Sequence, residues 1–161
     1  MSESAKSPPA TTPAPATTLS FARKAAIVAW EWTWLLLARW TPKPFHPWRA
    51  FLLRCFGGNV SGRPFIHQRA RIQIPWNVGL ADRACVGDRA NLYSLDRITV
   101  EAGAIVAQEA YICTGTHRFA PPDFPLLTAP VRIEPNAFIG ARAFVLPGTT
   151  IGASAVVGAG A

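Results

Sequence analysis

The chain has 161 residues, half of them apolar, with 16 Lys or Arg against 9 Asp or Glu and a formal net charge of +7. That length allows one domain with an appendage, and the apolar half suffices for a globular core. Three cysteines, an odd number without a C-x-x-C pair, argue against a disulfide framework and a zinc ribbon and point to a reducing, cytoplasmic compartment.

The charge is unevenly shared. Residues 1–71 hold ten of the basic side chains against Glu3 and Glu31, whereas the rest of the chain holds six Arg against seven acids. Basic residues this sparse, interleaved with aromatics, do not form a nucleic-acid stripe.

In chain order, residues 1–18 are Ser, Pro, Ala and Thr with almost nothing to bury, which predicts a disordered tail without the ordered parts of a signal peptide. Ser20 can cap a helix that runs to Arg39 or Trp40, where Thr41-Pro42 stops it. Its apolar run, Ala25–Ala38, is fourteen residues with Glu31 inside, too short for an ordinary membrane span. Trp30, Trp32, Trp34 and Trp40, flanked by Arg23, Lys24, Arg39 and Lys43, suit a helix lying at a membrane surface. Packing on the body of the protein or on a partner subunit is the equal alternative. A second helix follows Pro47, with Trp48, Phe51, Leu52, Leu53 and Phe56 on its apolar side, Arg49 and Arg54 on its polar side, and Gly57-Gly58 at its end.

The body carries a six-residue period. Ile133, Ile139, Val145, Ile151 and Val157 are branched aliphatics, and Ala137, Ala143, Thr149, Ala155 and Ala161 follow each by four. The same rule covers Leu80, Val86 and Leu92, then Val100, Val106 and Ile112. This is the mark of a solenoid of hexapeptide repeats, in which about three hexads close one coil and stacked coils bury each other's apolar edges. The hexads from Leu80 onward make almost four coils. The expected fold is therefore an all-β solenoid preceded by short N-terminal helices. Residues 19–66 cap it, and the solenoid covers 67–161, breaking off midway through a coil as though truncated at the C-terminus.

Two breaks in the period carry information. Leu92 and Val100 are eight apart, with extra residues at Asp96 and Arg97, and Ile112 and Ile133 are twenty-one apart. The second break predicts an inserted loop at 118–130, and ordered insertions in solenoids tend to be functional. His117 stands where the hexads stop, in Cys113-Thr114-Gly115-Thr116-His117. An imidazole there can take a proton from a hydroxyl near neutral pH. Cys85 and Cys113 read as small buried apolar residues.

The segments Pro75-Trp76-Asn77-Val78, Asn91-Leu92-Tyr93-Ser94-Leu95 and Cys113-Thr114-Gly115-Thr116-His117 resemble those of colanic-acid-type polysaccharide acetyltransferases. These belong to the hexapeptide transferases with a left-handed parallel β-helix. His46-Pro47-Trp48-Arg49 is also similar to that subgroup's N-terminal helix. The resemblance implies a left-handed coil and a homotrimer with active sites between neighbouring solenoids. It implies acetyl-CoA as acyl donor without a metal, and a sugar or lipid-linked saccharide as acceptor. It makes His117 the general base. By motif, Gly140, Ala141, Gly158 and Ala159 would line the CoA channel, the alternative for Gly140 being a purely geometric role. Asn91, Tyr93 or Ser94 would contact the acceptor.

The expected function is thus an O-acetyltransferase acting on a sugar hydroxyl in exopolysaccharide or lipid-linked oligosaccharide assembly. It would be cytoplasmic, or peripheral at the inner face of the cytoplasmic membrane. A non-catalytic solenoid scaffold, or a transferase using another acyl-CoA, is the alternative. A γ-class carbonic anhydrase would need three converging His, which His67 and His117 do not supply.

Overall fold

The computed structural model describes residues 14–15, 20–117 and 125–161. Within the tail expected to be disordered, Ala14–Pro15 form a short strand, and the remaining tail residues lie outside the described residues, as do 118–124 of the inserted loop.

The solenoid has three parallel faces. Face 1 stacks Asn59–Val60, Val78–Leu80, Ile98–Val100, Val131–Ile133 and Thr150–Ile151; face 2 stacks Phe65–Ile66, Cys85–Val86, Ile105–Val106, Phe138–Ile139 and Val156–Val157. Face 3 stacks Arg71–Ile72, Asn91–Tyr93, Tyr111–Cys113 and Phe144–Val145. Each aliphatic of the period sits over its counterpart, as in Val60–Leu80–Val100 and Ile66–Val86–Val106. The small residues are wholly buried: Ala84, Ala90, Ala104, Ala110, Ala137 and Ala143 have no exposed surface. The residue before each one turns the corner, and at Arg83, Arg89, Glu109, Asn136 and Arg142 it does so in the left-handed region, with φ between 53° and 61°. A larger residue at the small position would have to fit between the walls of that corner.

The solenoid begins at Asn59 and not at 67, so almost five coils stand where almost four were expected. Val60, Ile66 and Ile72 keep the six-residue spacing. An eight-residue step from Ile72 to Leu80, filled by a 3₁₀ turn at Pro75–Asn77, conceals them in the sequence.

The first helix, α1, spans Phe21–Thr33, with Ser20 Oγ accepting from the Arg23 N–H at 3.4 Å. It continues as a π-helical turn, Trp34–Ala38. Trp30, Trp34 and Ala38, four apart, are buried, whereas Phe21, Trp32, Leu36 and Trp40 are exposed. One side of the segment thus packs on the solenoid while its opposite side remains apolar and open.

The second helix, α2, spans His46–Cys55. It ends with the Gly58 N–H donating to Leu53 O and the Gly57 N–H to Arg54 O, both at 2.9 Å, with Gly57 at φ 83°. This double bond around a left-handed glycine satisfies two terminal carbonyls. Arg49, expected on the polar side, is instead wholly buried.

Within the stack, backbone N–H groups of one coil donate to carbonyls of the next: Ser61 to Leu80, His67 to Val86 and Gln73 to Leu92. The matching carbonyls of the first coil, on Val60, Ile66 and Ile72, have no coil beneath them. Side chains from the helices take that place. Arg54 Nε donates to Val60 O at 3.1 Å, Arg49 Nε to Ile66 O at 2.6 Å and Trp30 Nε1 to Ile72 O at 2.8 Å. An open sheet edge would otherwise expose these acceptors to pairing with another chain.

Candidate active site

All three long steps of the repeat, Ile72 to Leu80, Leu92 to Val100 and Ile112 to Ile133, fall at the corner between faces 3 and 1. Ile74, Ser94 and Thr114 stack there, each one coil above the last. Ser94 Oγ accepts from the Ile74 N–H at 2.9 Å and lies 3.0 Å from Ile74 O, to which it donates. Thr114 Oγ1 donates to Tyr93 O at 2.7 Å and accepts from the Asp96 N–H at 2.9 Å. Asn77 Nδ2 donates to Ser94 O and Leu95 O. These bonds fix the corner from which the insertion leaves.

The insertion leaves as strand Gly115–His117, which pairs antiparallel with Leu126–Thr128 so that His117 lies opposite Leu126. Ala14–Pro15 pair with the outer edge of Leu126–Thr128. The described part of the region expected to be a loop at 118–130 is thus partly a strand. His117 stands exposed on this hairpin, raised from the solenoid corner. A Cβ at Gly115 would lie 2.7 Å from Leu95 Cδ1 and 3.4 Å from Tyr93 Cε1, so the hairpin starts directly against the Tyr93 ring.

Asn91 and Tyr93 lie half-buried on the outside of face 3. Tyr111 stands over Asn91, its ring 6.0 Å from that of Tyr93, and Phe144 stacks on Tyr111 at 4.8 Å with planes 3° apart. Burial, followed by the neighbouring Cys113 and Tyr93, pushes the Tyr111 phenol above its usual range. The aromatic floor of Tyr111 and Phe144 escaped the sequence reading. The signal is the twenty-residue coil spacing of Arg71, Asn91 and Tyr111, which puts all three in one outward column.

Ser94 does not join this surface. It is wholly buried, and its hydroxyl is occupied by Ile74. Its expected contact with an acceptor is corrected: it stitches two coils together.

Of the four residues expected to line a CoA channel, Ala141 and Ala159 share one shallow groove with Gln108, Glu109, Arg142 and Gly160. This groove follows the corner between faces 2 and 3. Arg142 Nε donates to Glu109 Oε2 at 2.6 Å; this bond and the charge behind it hold the Glu109 carboxyl below its usual range and raise the Arg142 guanidinium. Gly140 lies inside the stack. A Cβ there would fall 2.6 Å from Ala159 N and 2.7 Å from Gly158 C, and Gly87 is confined in the same way by Ala107 and Gln108. Coil geometry alone therefore requires Gly140. Gly158 faces open space.

His67, Cys113 and Cys85 lie within the body of the solenoid. His67 is buried, its Nδ1 3.1 Å from Asp88 Oδ1, while Arg69 pairs with the same carboxylate through both Nε and Nη2. Burial pushes the His67 imidazole below its usual range, and Asp88 opposes that shift. Cys113 is buried, with its Sγ 3.0 Å from Gly115 O, and burial raises the half-buried Cys85 thiol. Among the described residues, no three His, Cys, Asp or Glu side chains are grouped to hold a metal ion. No described helix is long and apolar enough to cross a membrane.

Residues 130–161 match the family profile described as the hexapeptide repeat of succinyl-transferase. Over 120 residues the chain is 41% identical to the protein named colanic acid biosynthesis acetyltransferase WcaF of Escherichia coli (strain K12), covering 74% of this chain. The chain spans 66% of that relative's length, just under two thirds. Among solved structures it resembles the hexapeptide-repeat acetyltransferase VCA0836 of Vibrio cholerae O1 biovar eltor complexed with acetyl coenzyme A. The TM-score is 0.77 at 17% identity, covering 88% of this chain and 77% of that one. It also resembles a galactoside acetyltransferase in complex with coenzyme A, with a TM-score of 0.74 at 15% identity over 89% and 73% of the two chains. Identities this low establish a shared fold.

Proposed function

The chain belongs to the hexapeptide-repeat family of β-solenoid proteins, and from that premise we propose that it is an acetyl-CoA-dependent O-acetyltransferase acting on a sugar hydroxyl. The acceptor belongs to exopolysaccharide or lipid-linked oligosaccharide assembly, a reading supported by the WcaF relative, whose name places it in colanic acid biosynthesis. The observation that carries this reading is the placement of His117 on a hairpin anchored against Tyr93, beside the outward column of Asn91 and Tyr111.

In this reading the acceptor sugar lies on the aromatic floor of face 3, with Asn91 and Tyr93 as hydrogen-bonding partners. His117 takes the proton as the hydroxyl oxygen attacks the thioester carbonyl. The C–S bond then breaks, and the proton passes to the departing CoA thiolate. A thioester is already activated, so alignment supplies much of the rate, and a positioned base adds about 10²–10⁴-fold. The groove bearing Ala141 and Ala159 accepts the pantetheine arm, because small side chains let it approach the backbone. Neighbouring solenoids of a homotrimer complete the site.

The exposed side of the α1 segment, with Phe21, Trp32, Leu36, Leu37 and Trp40, rests on the cytoplasmic membrane surface, where Arg23 and Lys24 meet anionic headgroups. Trp30 and Trp34 point the other way, so the segment's two sides have separate tasks. CoA release measured with oligosaccharide acceptors tests the activity. Release that needs both an acceptor and His117 supports the enzyme, and its absence with every acceptor favours a scaffold. Co-sedimentation with anionic vesicles that does not depend on Trp32 and Trp40 would sink the membrane assignment.

A further inference from the structure

A second cavity lies on face 3 and its corner with face 2, and its basic side chains have no task in the reading above. Arg39, Arg69, Arg71 and Arg89 line it, Asn91 and Tyr111 form its floor, and Glu109 is the single carboxylate among its described lining residues. The repeat explains the cluster. Arg69 and Arg89 hold the same corner position in successive coils, and Arg71 lies directly under Asn91 in the outward column. Arg39 arrives from the end of the α1 segment.

The charges are not balanced within the cavity. Arg69 is committed to Asp88, outside the lining. Glu109 is held at 2.6 Å by Arg142, whereas Arg89 approaches it only to 3.5 Å. No ion pair joins Arg39 or Arg71 to any described residue. A neutral sugar requires no such cluster, and one guanidinium fork satisfies a single carboxylate. Several converging guanidinium groups fit a group with several anionic oxygens, which they recognise by paired N–H···O bonds.

We propose that this cavity binds the diphosphate through which the acceptor saccharide is attached to its carrier, nucleotide or prenyl. The assignment rests on the acceptor reading of face 3, because Asn91 and Tyr111 belong to both surfaces. The saccharide then extends from the cavity along face 3 toward Tyr93 and His117. Arg39 joins the cavity to the helical segment whose outer side is apolar and exposed, the direction from which a prenyl carrier would come.

Calorimetric titration of pyrophosphate, UDP-glucose and geranyl diphosphate into the chain and its Arg71→Gln, Arg39→Gln and Arg63→Gln variants tests this. Pyrophosphate and at least one carrier diphosphate should bind; Arg71→Gln and Arg39→Gln should each weaken binding about tenfold or more. Arg63→Gln, on another corner, should leave it unchanged. Preference for UDP-glucose identifies a nucleotide carrier, and preference for geranyl diphosphate a prenyl one.

Absence of diphosphate binding, equal loss in Arg63→Gln, or tighter binding of glucuronate than of pyrophosphate overturns the proposal. So does a parallel loss of CoA affinity in Arg71→Gln, which would assign the cavity to the donor's phosphates. Diphosphate binding without CoA release on any acceptor would sink the acyltransfer reading alone. CoA release on neutral sugars without diphosphate binding would sink this proposal alone.

Discussion

Arg49 Nε donates to Ile66 O at 2.6 Å, and the rest of the guanidinium is spent on the connector between the helices. Nη1 donates to Thr41 Oγ1 at 2.6 Å and Pro42 O at 3.1 Å, and Nη2 to Lys43 O at 2.9 Å. One buried cation therefore joins α2, the connector and the first coil without any carboxylate. Burial pushes its pKa below the ordinary arginine value, the expected direction for a charge removed from water.

Arg49→Ala leaves the buried Ile66 carbonyl without its donor, frees the part-buried carbonyls of Pro42 and Lys43 and empties a wholly buried side-chain volume, and should cost about 3 kcal/mol or more. Arg54→Ala, at an exposed position, should cost about 1 kcal/mol or less. Urea denaturation of the two variants checks this, and equal losses would show that Arg49 is not the main fastening.

Ser94→Ala removes both bonds to Ile74 and should destabilise the chain by about 1–3 kcal/mol while leaving the Michaelis constant for the acceptor unchanged. A raised Michaelis constant at unaltered stability would instead place Ser94 against the sugar.

Gly140→Ala drives a methyl into the backbone of the coil above and should cost about 1–3 kcal/mol, whereas Gly158→Ala should be close to neutral. Thermal unfolding distinguishes them. A Gly140→Ala protein of normal stability with weakened acetyl-CoA binding would return Gly140 to the donor channel.

Stability should rise from pH 5 to pH 7 in a step that depends on His67. Its folded-state pKa lies below the unfolded value of about 6.5, so below that pH the unfolded chain binds the extra proton. The contribution is complete above the unfolded pKa and fades as pH falls through it. Burial outweighs the attraction of Asp88, with Arg69, Lys43 and Arg49 adding repulsion. Unfolding free energies across this range should show a smaller step in His67→Gln, and an unchanged step would assign it elsewhere.

The repeat was legible because its two signals are short-range: an aliphatic fills the interior every six residues, and a small residue follows where the corner closes. Ile133 and Ala137 announce a coil without reference to anything distant. The first coil was concealed because Pro75–Asn77 lengthen one corner and break the count between Ile72 and Leu80. Arg49 and Ser94 were misplaced for a common reason. A polar side chain is buried when its partner is a backbone group, and the carbonyl of Ile66 or the peptide of Ile74 leaves no trace in composition. The column of Arg71, Asn91 and Tyr111 becomes visible only once the coil length of twenty residues is known.

The most direct test of the account is the rate of CoA release by His117→Ala with an acceptor that the unaltered protein acetylates. A loss of about 10²-fold or more in kcat, with acetyl-CoA binding and thermal stability retained, is the predicted result. A variant that releases CoA at the unaltered rate would contradict it and remove His117 from the chemistry.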